Sequence, residues 1–364
     1  MAAAEETSKS SEAFPMKGGD GPNSYFKNSI YQRGAVDVAK QILNNEIAEK
    51  LDVEILLPSN TFSLADLGCS VGPNTFSAVD NILEAVRLKY QCQGLDSQIP
   101  EFQVFFNDHT LNDFNMLFKS LPPNRQYYAA GVPGSFHGRI FPNNSIHLFH
   151  SSSTNHWLSR VPKELVNKNC PAWNKGEIHY SNSTDEVVKA YEAQYAEDME
   201  CFLHTRSQEI VSGGLMVLII PGRPNGTPHS KTLPNMMLQL LGTSLMEMAR
   251  KGVVVEDKVD SFNIPAYYMS PQELEAAVER NGCFNIEKIE NLPSPLGDGA
   301  AIGTRVLAYH MRAASEGLIK QQFGEEILDE LFDLFCKKLE QKPSIFESGK
   351  GIYFLVVLMK RMPN

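Results

Sequence analysis

The stretch Leu64-Ala65-Asp66-Leu67-Gly68-Cys69-Ser70-Val71-Gly72-Pro73-Asn74-Thr75 constrains this chain more than any other. Its apolar lead-in from Phe62 reads as a buried parallel strand, and Gly68 and Gly72 let the backbone turn close to a ligand. From Thr75 to Tyr90 the apolar spacing (Phe76, Val79, Leu83, Val86, Tyr90) is helical. Strand, glycine turn and helix predict an open α/β sheet with a ligand site at the carboxyl ends of its strands. A glycine turn that closes without a ligand is the plainer alternative.

The turn reads Asp-x-Gly-x-x-x-Gly, so the third glycine of a dinucleotide site is missing and NAD is disfavoured. An acid inside the turn repels a diphosphate, whereas it attracts an ammonium or orients the hydroxyls of an adenosine. Both features suit S-adenosylmethionine.

Composition narrows the partners. A chain of 364 residues with 42% apolar and 21% charged residues can bury a large core, as one large domain or two smaller ones. Its net charge of -10 argues against nucleic acid and anionic membrane surfaces, and no apolar run reaches the roughly 18 residues of a membrane span. The six cysteines are scattered without Cys-x-x-Cys, which fits a reducing compartment, and the cytosol is the expected location. Residues 1–15 read as a disordered tail, 16–224 as a cofactor-binding core, 225–282 as a helical lid, and 283–364 as the rest of the core sheet with cap helices.

Along the chain, Asn28 to Leu51 is helical in spacing and places Tyr25 and Gln32 on one face near its start; Tyr25 as a core anchor and Gln32 as a solvated residue is the bland alternative. A second strand, Phe102 to Phe106, ends in Asn107-Asp108, where a nucleotide-binding sheet grips ribose hydroxyls. Asp113 favours the start of the next helix. In Gly134-Ser135-Phe136-His137-Gly138 no frame gives Gly-x-Ser-x-Gly, so a serine hydrolase is disfavoured; Ser135 and Phe136 suit contact with an adenine. A strand over Ser145 to Phe149 leads into His150-Ser151-Ser152-Ser153-Thr154-Asn155-His156-Trp157. His147 and His150 fall on opposite faces, against a metal cluster, while the serines (Ser152 among them) suit a cofactor pocket and His156 with Trp157 its substrate end, or a plain core.

Ser183 to Glu186 predicts a capping box before a long helix, Ser212-Gly213-Gly214 a turn into a strand over Leu215 to Ile220, and Met236 to Met248 a methionine-rich helix that is core or lid. Phe284 to Ile289, Val306 to His310 and Ile352 to Met359 read as strands, and Phe323 to Leu339 as a helix.

Several of these segments together resemble the plant carboxyl methyltransferases of the salicylic acid, benzoic acid and theobromine synthase family: Met16-Lys17-Gly18-Gly19, Ser24 to Gln32, Ala65 to Asn74, Phe106-Asn107-Asp108, Asn112 to Asn115, Gly131 to Phe136, His156-Trp157-Leu158-Ser159 and Phe262-Asn263-Ile264-Pro265. The likeness spans nearly the whole chain after the tail. It implies a Rossmann-like α/β sheet of the class I methyltransferase type under a largely helical cap, S-adenosylmethionine as cofactor, a small plant carboxylic acid as partner and a homodimer. It further implies that Tyr25, Asp66, Cys69, Asn74, Asp108, His109, Ser135, Phe136 and Ser152 hold the cofactor and that Gln32, His156 and Trp157, with Lys17, hold the acid. A structural magnesium ion would map to Asn174, Asp260, Asn263 and the carbonyl of Phe262. Within the family the chain looks most like the branch containing loganic acid methyltransferase, whose lid histidine is replaced here by Met237-Leu238-Gln239-Leu240. Xanthine N-methylation and a silent acid-binding protein are the alternatives.

Overall fold

The computed structural model describes residues 15–53, 60–296 and 303–361. Apart from Pro15, the expected tail lies outside the described residues. In chain order the elements are α1 (Tyr25–Asn28), α2 (Ile30–Lys50), β1 (Thr61–Leu67), α3 (Pro73–Cys92), β2 (Glu101–Asp108), α4 (Phe114–Lys119), β3 (Tyr128–Pro133) and β4 (Ile146–Ser152). Then come α5 (Asp185–Glu209), β5 (Ile210–Gly222), α6 (Leu233–Arg250), α7 (Glu256–Asp260), α8 (Pro271–Asn281), β6 (Phe284–Asn291), α9 (Thr304–Phe323), α10 (Leu328–Glu340), α11 (Ser344–Ser348) and β7 (Ile352–Lys360).

The strands form one seven-stranded sheet in the order β3-β2-β1-β4-β5-β7-β6. The first five run parallel, and β7 inserts antiparallel between β5 and β6. From β1 the chain moves outward to β2 and β3, then returns to place β4 on the other side of β1. The carboxyl ends of β1 and β4 therefore flank the switch point, where an open sheet leaves a crevice.

Alternation along the central strands splits the core. Phe62 and Leu64 of β1 and Leu215, Val217 and Ile219 of β5 face α2 and α3, while Ala65, Leu67, Met216, Leu218 and Ile220 face α5 and α8. Both faces being covered explains why these strands read as unbroken apolar runs. A third cluster joins α6, α9 and α10 through Leu241, Leu245, Met311, Ile319, Leu331 and Phe335, and forms the cap. No helix among the described residues is long and apolar enough to cross a membrane.

The structure corrects several expectations. Tyr25 and Gln32 do not share one helix: α1 stops at Asn28 and α2 begins at Ile30, with Ser29 between them. Val306 to His310 is not a strand but the first half of α9, where Leu307 and Met311 are buried one turn apart and Val306 and Tyr309 are exposed. Phe323 closes α9, and the next helix starts only at Leu328, after Gly324 at φ 101°. Ser212-Gly213-Gly214 does not precede β5 but lies inside it, where Gly213 at φ 73° accompanies a register shift against β4. The capping box expected at Ser183 is absent: the N-cap of α5 is Thr184, and the Ser183 hydroxyl donates to Asn174 Oδ1 at 2.6 Å; a full box opens α8 through Ser270 and Glu273. Helix α8 also packs Leu274, Ala277 and Val278 against the sheet, so it sits with the core and not with the lid that 225–282 was expected to form.

Candidate active site

The turn after β1 is shaped by close approach. Gly68 has φ 74°, and a Cβ there would lie 2.3 Å from Thr154 Cγ2. Its N–H and that of Cys69 both donate to the Asn107 carbonyl, at 2.8 and 2.9 Å, which ties the end of β1 to the end of β2. Gly72 has φ 105°, and a Cβ there would meet the Phe26 ring at 2.7 Å. Only glycine combines that backbone with that space.

Two carboxylates stand at the strand ends with different duties. Asp66 is buried, with Oδ1 2.6 Å from His150 Nδ1 and Oδ2 accepting from the Thr75 hydroxyl, so it braces β1 against β4 and α3. Asp108 accepts from the Ser70 N–H through Oδ2 and from the His109 N–H through Oδ1, both at 2.7 Å, and borders the main cavity. Burial pushes its pKa up to about 6, against the pull of those two N–H groups. It is thus mostly ionised at neutral pH, with lone pairs left for hydroxyl donors.

Tyr25, Gln32 and Gly68 border both this cavity and a smaller one lined by Asp66, Cys69, Asn74, His150 and Ser152. The Asn74 amide donates to the carbonyl and hydroxyl of Ser29 at 3.1 and 2.9 Å, fixing the break between α1 and α2. Burial raises the Cys69 thiol well above its ordinary pKa, so it is a neutral wall and no nucleophile. Phe136 and His109 line the main cavity, while the Ser135 hydroxyl faces inward to the His137 N–H at 3.4 Å. The Ser152 hydroxyl is buried and without a protein partner.

Across the same cavity lie His156 and Trp157. They are held by the segment after α7, because the His156 carbonyl accepts from the Tyr267 N–H at 2.7 Å and Trp157 bridges Ala266. The His156 ring stacks on Tyr268 at 5.2 Å. Burial, and secondarily His310, lowers its pKa to about 3, so the ring is neutral at any working pH. Its Nδ1 and the Gln32 Oε1 are buried without protein partners. Buried polar atoms left unsatisfied point to a ligand that completes them.

Residues 15–24 form a strap over this opening. The Lys17 N–H donates to the Ala313 carbonyl at 3.0 Å, the Gly19 N–H to Asp113 Oδ2 at 3.0 Å, and Met16 lines the cavity. The Lys17 ammonium is taken by the buried carboxylate of Glu316, itself paired with Arg312 at 2.7 Å. Lys17 therefore clamps the strap to α9, and its charge does not reach toward the acid as the resemblance implied.

The residues mapped to magnesium do not fit a resident ion. Asn174 donates to Asn263 Oδ1 at 2.7 Å and accepts from Ser183, and Asp260 Oδ1 accepts from the Gly176 N–H at 2.9 Å. The unsatisfied atom of the group is a donor, Asn263 Nδ2, while Phe262 packs its ring on Phe323. Oxygens already committed to N–H and O–H groups, with a single carboxylate among them, make a poor cage for a hard cation. Among the described residues no cluster of three His, Cys, Asp or Glu could hold a metal. His147 instead accepts from the Ser63 N–H and stacks on Phe62.

The cavity also recruits residues to which the sequence assigns no site role: Tyr268, Leu238, Ile264, His310 and Met311. Each comes from the cap or its connecting segment. Only the polarity of His310 within an apolar helix face offered a signal.

Comparison with known proteins agrees with this geometry. Residues 11–362 match the model of the SAM dependent carboxyl methyltransferases. The chain is 50% identical over 358 residues to loganic acid O-methyltransferase of Catharanthus roseus, covering 97% of this chain and 95% of that one. It is 42% identical over 351 residues to farnesoic acid carboxyl-O-methyltransferase of Arabidopsis thaliana, covering 96% and 99%. A solved structure of loganic acid methyltransferase with SAH superposes with a TM-score of 0.92 at 48% identity, covering 96% of this chain and 99% of that one. A glycine turn at the switch point, an acid at the end of β2 and this likeness over nearly the full length together show that the chain belongs to the family of SAM-dependent carboxyl methyltransferases.

Proposed function

We propose that this chain methylates the carboxylate of a small plant acid, an iridoid acid like loganic acid or an apolar acid such as indole-3-acetic, jasmonic or farnesoic acid. The observation that carries the reading is one cavity bordered by Tyr25, Asp108 and Phe136 from the cofactor side and by Gln32, His156 and Trp157 from the acceptor side. In it Asp108 accepts from the ribose hydroxyls, Tyr25 and Phe136 flank the cofactor, and Asp66 holds the strand ends in register. The Gln32 amide, the neutral His156 ring and the Trp157 indole N–H donate to the acid's oxygens.

No general base is needed. A carboxylic acid with a pKa of roughly 4 to 5 is already ionised at neutral pH, so the protein need only aim one oxygen at the sulfonium methyl, in line with the departing sulfur. With its pKa held near 3, His156 orients the acid without giving it a proton. A carboxylate and a sulfonium neutralise each other as the methyl moves, so water favours the separated reactants; the apolar walls and the strap remove that water. The unpaired state of all six cysteines supports the cytosol as the setting. Assembly as a homodimer belongs to the same reading and is checked by light scattering.

The test is transfer of labelled methyl from S-adenosylmethionine to loganic, indole-3-acetic, jasmonic, farnesoic, salicylic, benzoic and gibberellic acids, with xanthosine and theobromine as nitrogen acceptors. A methyl ester identified by mass spectrometry supports the reading. Methyl found only on a xanthine nitrogen overturns it.

A further inference from the structure

Beyond the three groups assigned to the carboxylate, the cavity is bordered by the imidazoles of His109, His137 and His310, and of these only His310 comes from the cap. His310 of α9 borders it beside Met311 and Ala314. Its Nδ1 lies 3.2 Å from the Asn28 carbonyl oxygen, and its ring packs on Tyr31 with centroids 5.5 Å apart. A carbonyl only accepts, so Nδ1 carries the proton in this contact and Nε2 keeps its lone pair. Burial holds the ring below its ordinary pKa, which keeps that neutral form at neutral pH. Two fixed contacts thus leave Nε2 as the ring's acceptor, on a residue that borders the cavity together with the apolar Leu238, Ile264 and Met311. The nearby Ser315 hydroxyl is spent on the Met311 carbonyl at 2.7 Å.

We propose that His310 Nε2 determines acceptor specificity by selecting carboxylic acids that carry a hydroxyl or N–H donor away from the carboxyl group, over acids that carry none. The inference rests on the acid-methylating reading above and deepens it. A wholly apolar acid leaves the Nε2 lone pair dehydrated and unpaired, a cost that sites built to bind a donor use for discrimination.

Matched acids differing by one donor test this: indole-3-acetic against 1-methylindole-3-acetic acid, and 12-hydroxyjasmonic against jasmonic acid. For each pair kcat/KM is measured, along with Kd by calorimetry on the protein loaded with S-adenosylhomocysteine. The expected result is a preference of about tenfold or more for the donor-bearing acid in at least one pair, carried mainly by KM and Kd. His310→Leu should bring that ratio close to one, and His310→Gln, whose amide oxygen also accepts, should restore much of it. A ratio near one in every pair, or a preference that His310→Leu leaves intact, overturns the inference. Donor-selective binding without methyl transfer would sustain the assignment of His310 and sink the proposed reaction instead.

Discussion

The two halves of the cavity are built in opposite ways. On the side proposed for the cofactor, Gly68, Asp66 and Asp108 sit at the ends of adjacent strands, and each is locked by backbone hydrogen bonds or by a buried partner. On the acceptor side, Gln32, His156, Leu238, Tyr268 and His310 come from separate segments, and key polar atoms of Gln32 and His156 have no protein partner. The first half is preorganised, and the second is left to be completed by what binds. One cofactor chemistry can therefore serve a varied set of acids, because the parts that change are not the parts that hold the sheet ends together.

If that contrast holds, damage to the first half should abolish cofactor binding. Gly68→Val places a side chain onto Thr154 at a backbone angle that valine resists, and should weaken S-adenosylhomocysteine binding by about 1000-fold or more, with methyl transfer lost in parallel. Retention of affinity within tenfold in calorimetry would show that the turn is not the cradle.

A milder probe uses pH. With the Asp108 pKa at about 6 in the free protein, cofactor hydroxyls that donate to its ionised form should lose affinity as pH falls through 6, by about tenfold per unit below it. The sign for folding is opposite. The folded pKa lies above the unfolded value, so folding takes up a proton between roughly pH 4 and 6 and the Asp108 contribution to stability rises as pH falls across that window. Titrations at pH 5, 6 and 7.5 check the first trend and thermal melts of the free protein the second. Affinity flat across this range would remove Asp108 from the hydroxyl contact.

The smallest effect should come from the strap. Glu316→Gln removes the charge that holds the Lys17 ammonium and should raise the acid KM by about two- to fivefold, with added salt narrowing the difference from the parent protein. The cavity offers about 100 Å³, below the roughly 300 Å³ or more of ordinary ligand sites, so the strap is expected to move aside when ligands enter. An unchanged KM and salt response would mean that the Lys17–Glu316 pair does not control the strap.

The same contrast explains what could be read from the chain. The half proposed for the cofactor was legible as structure because its signals are local: the strand, the glycine turn and the helix are contiguous over Thr61 to Cys92, and β2 ends in Asp108. On the half proposed for the acceptor, only a short polar motif, His156-Trp157, pointed to residues that line the cavity. His310 was hidden by its neighbours, since Val306 to His310 is a short apolar run whose strand and helix readings differ only through the burial of Leu307 and Met311. Tyr268 lies in an irregular segment whose role is set by pairing with His156 over a hundred residues away, which no local pattern records. The Ser183 signature failed for a similar reason: Thr184 is the N-cap, and the Ser183 hydroxyl goes to a tertiary partner, Asn174.

The most direct test of the division between the halves is Trp157→Ala, assayed for S-adenosylhomocysteine affinity by calorimetry and for methyl transfer to the best acid of the panel. The account predicts affinity within about threefold of the parent protein and turnover lowered by about 100-fold, because the indole positions the acid and leaves the strand-end cradle untouched. A parallel fall of both would contradict it and make Trp157 part of the common core.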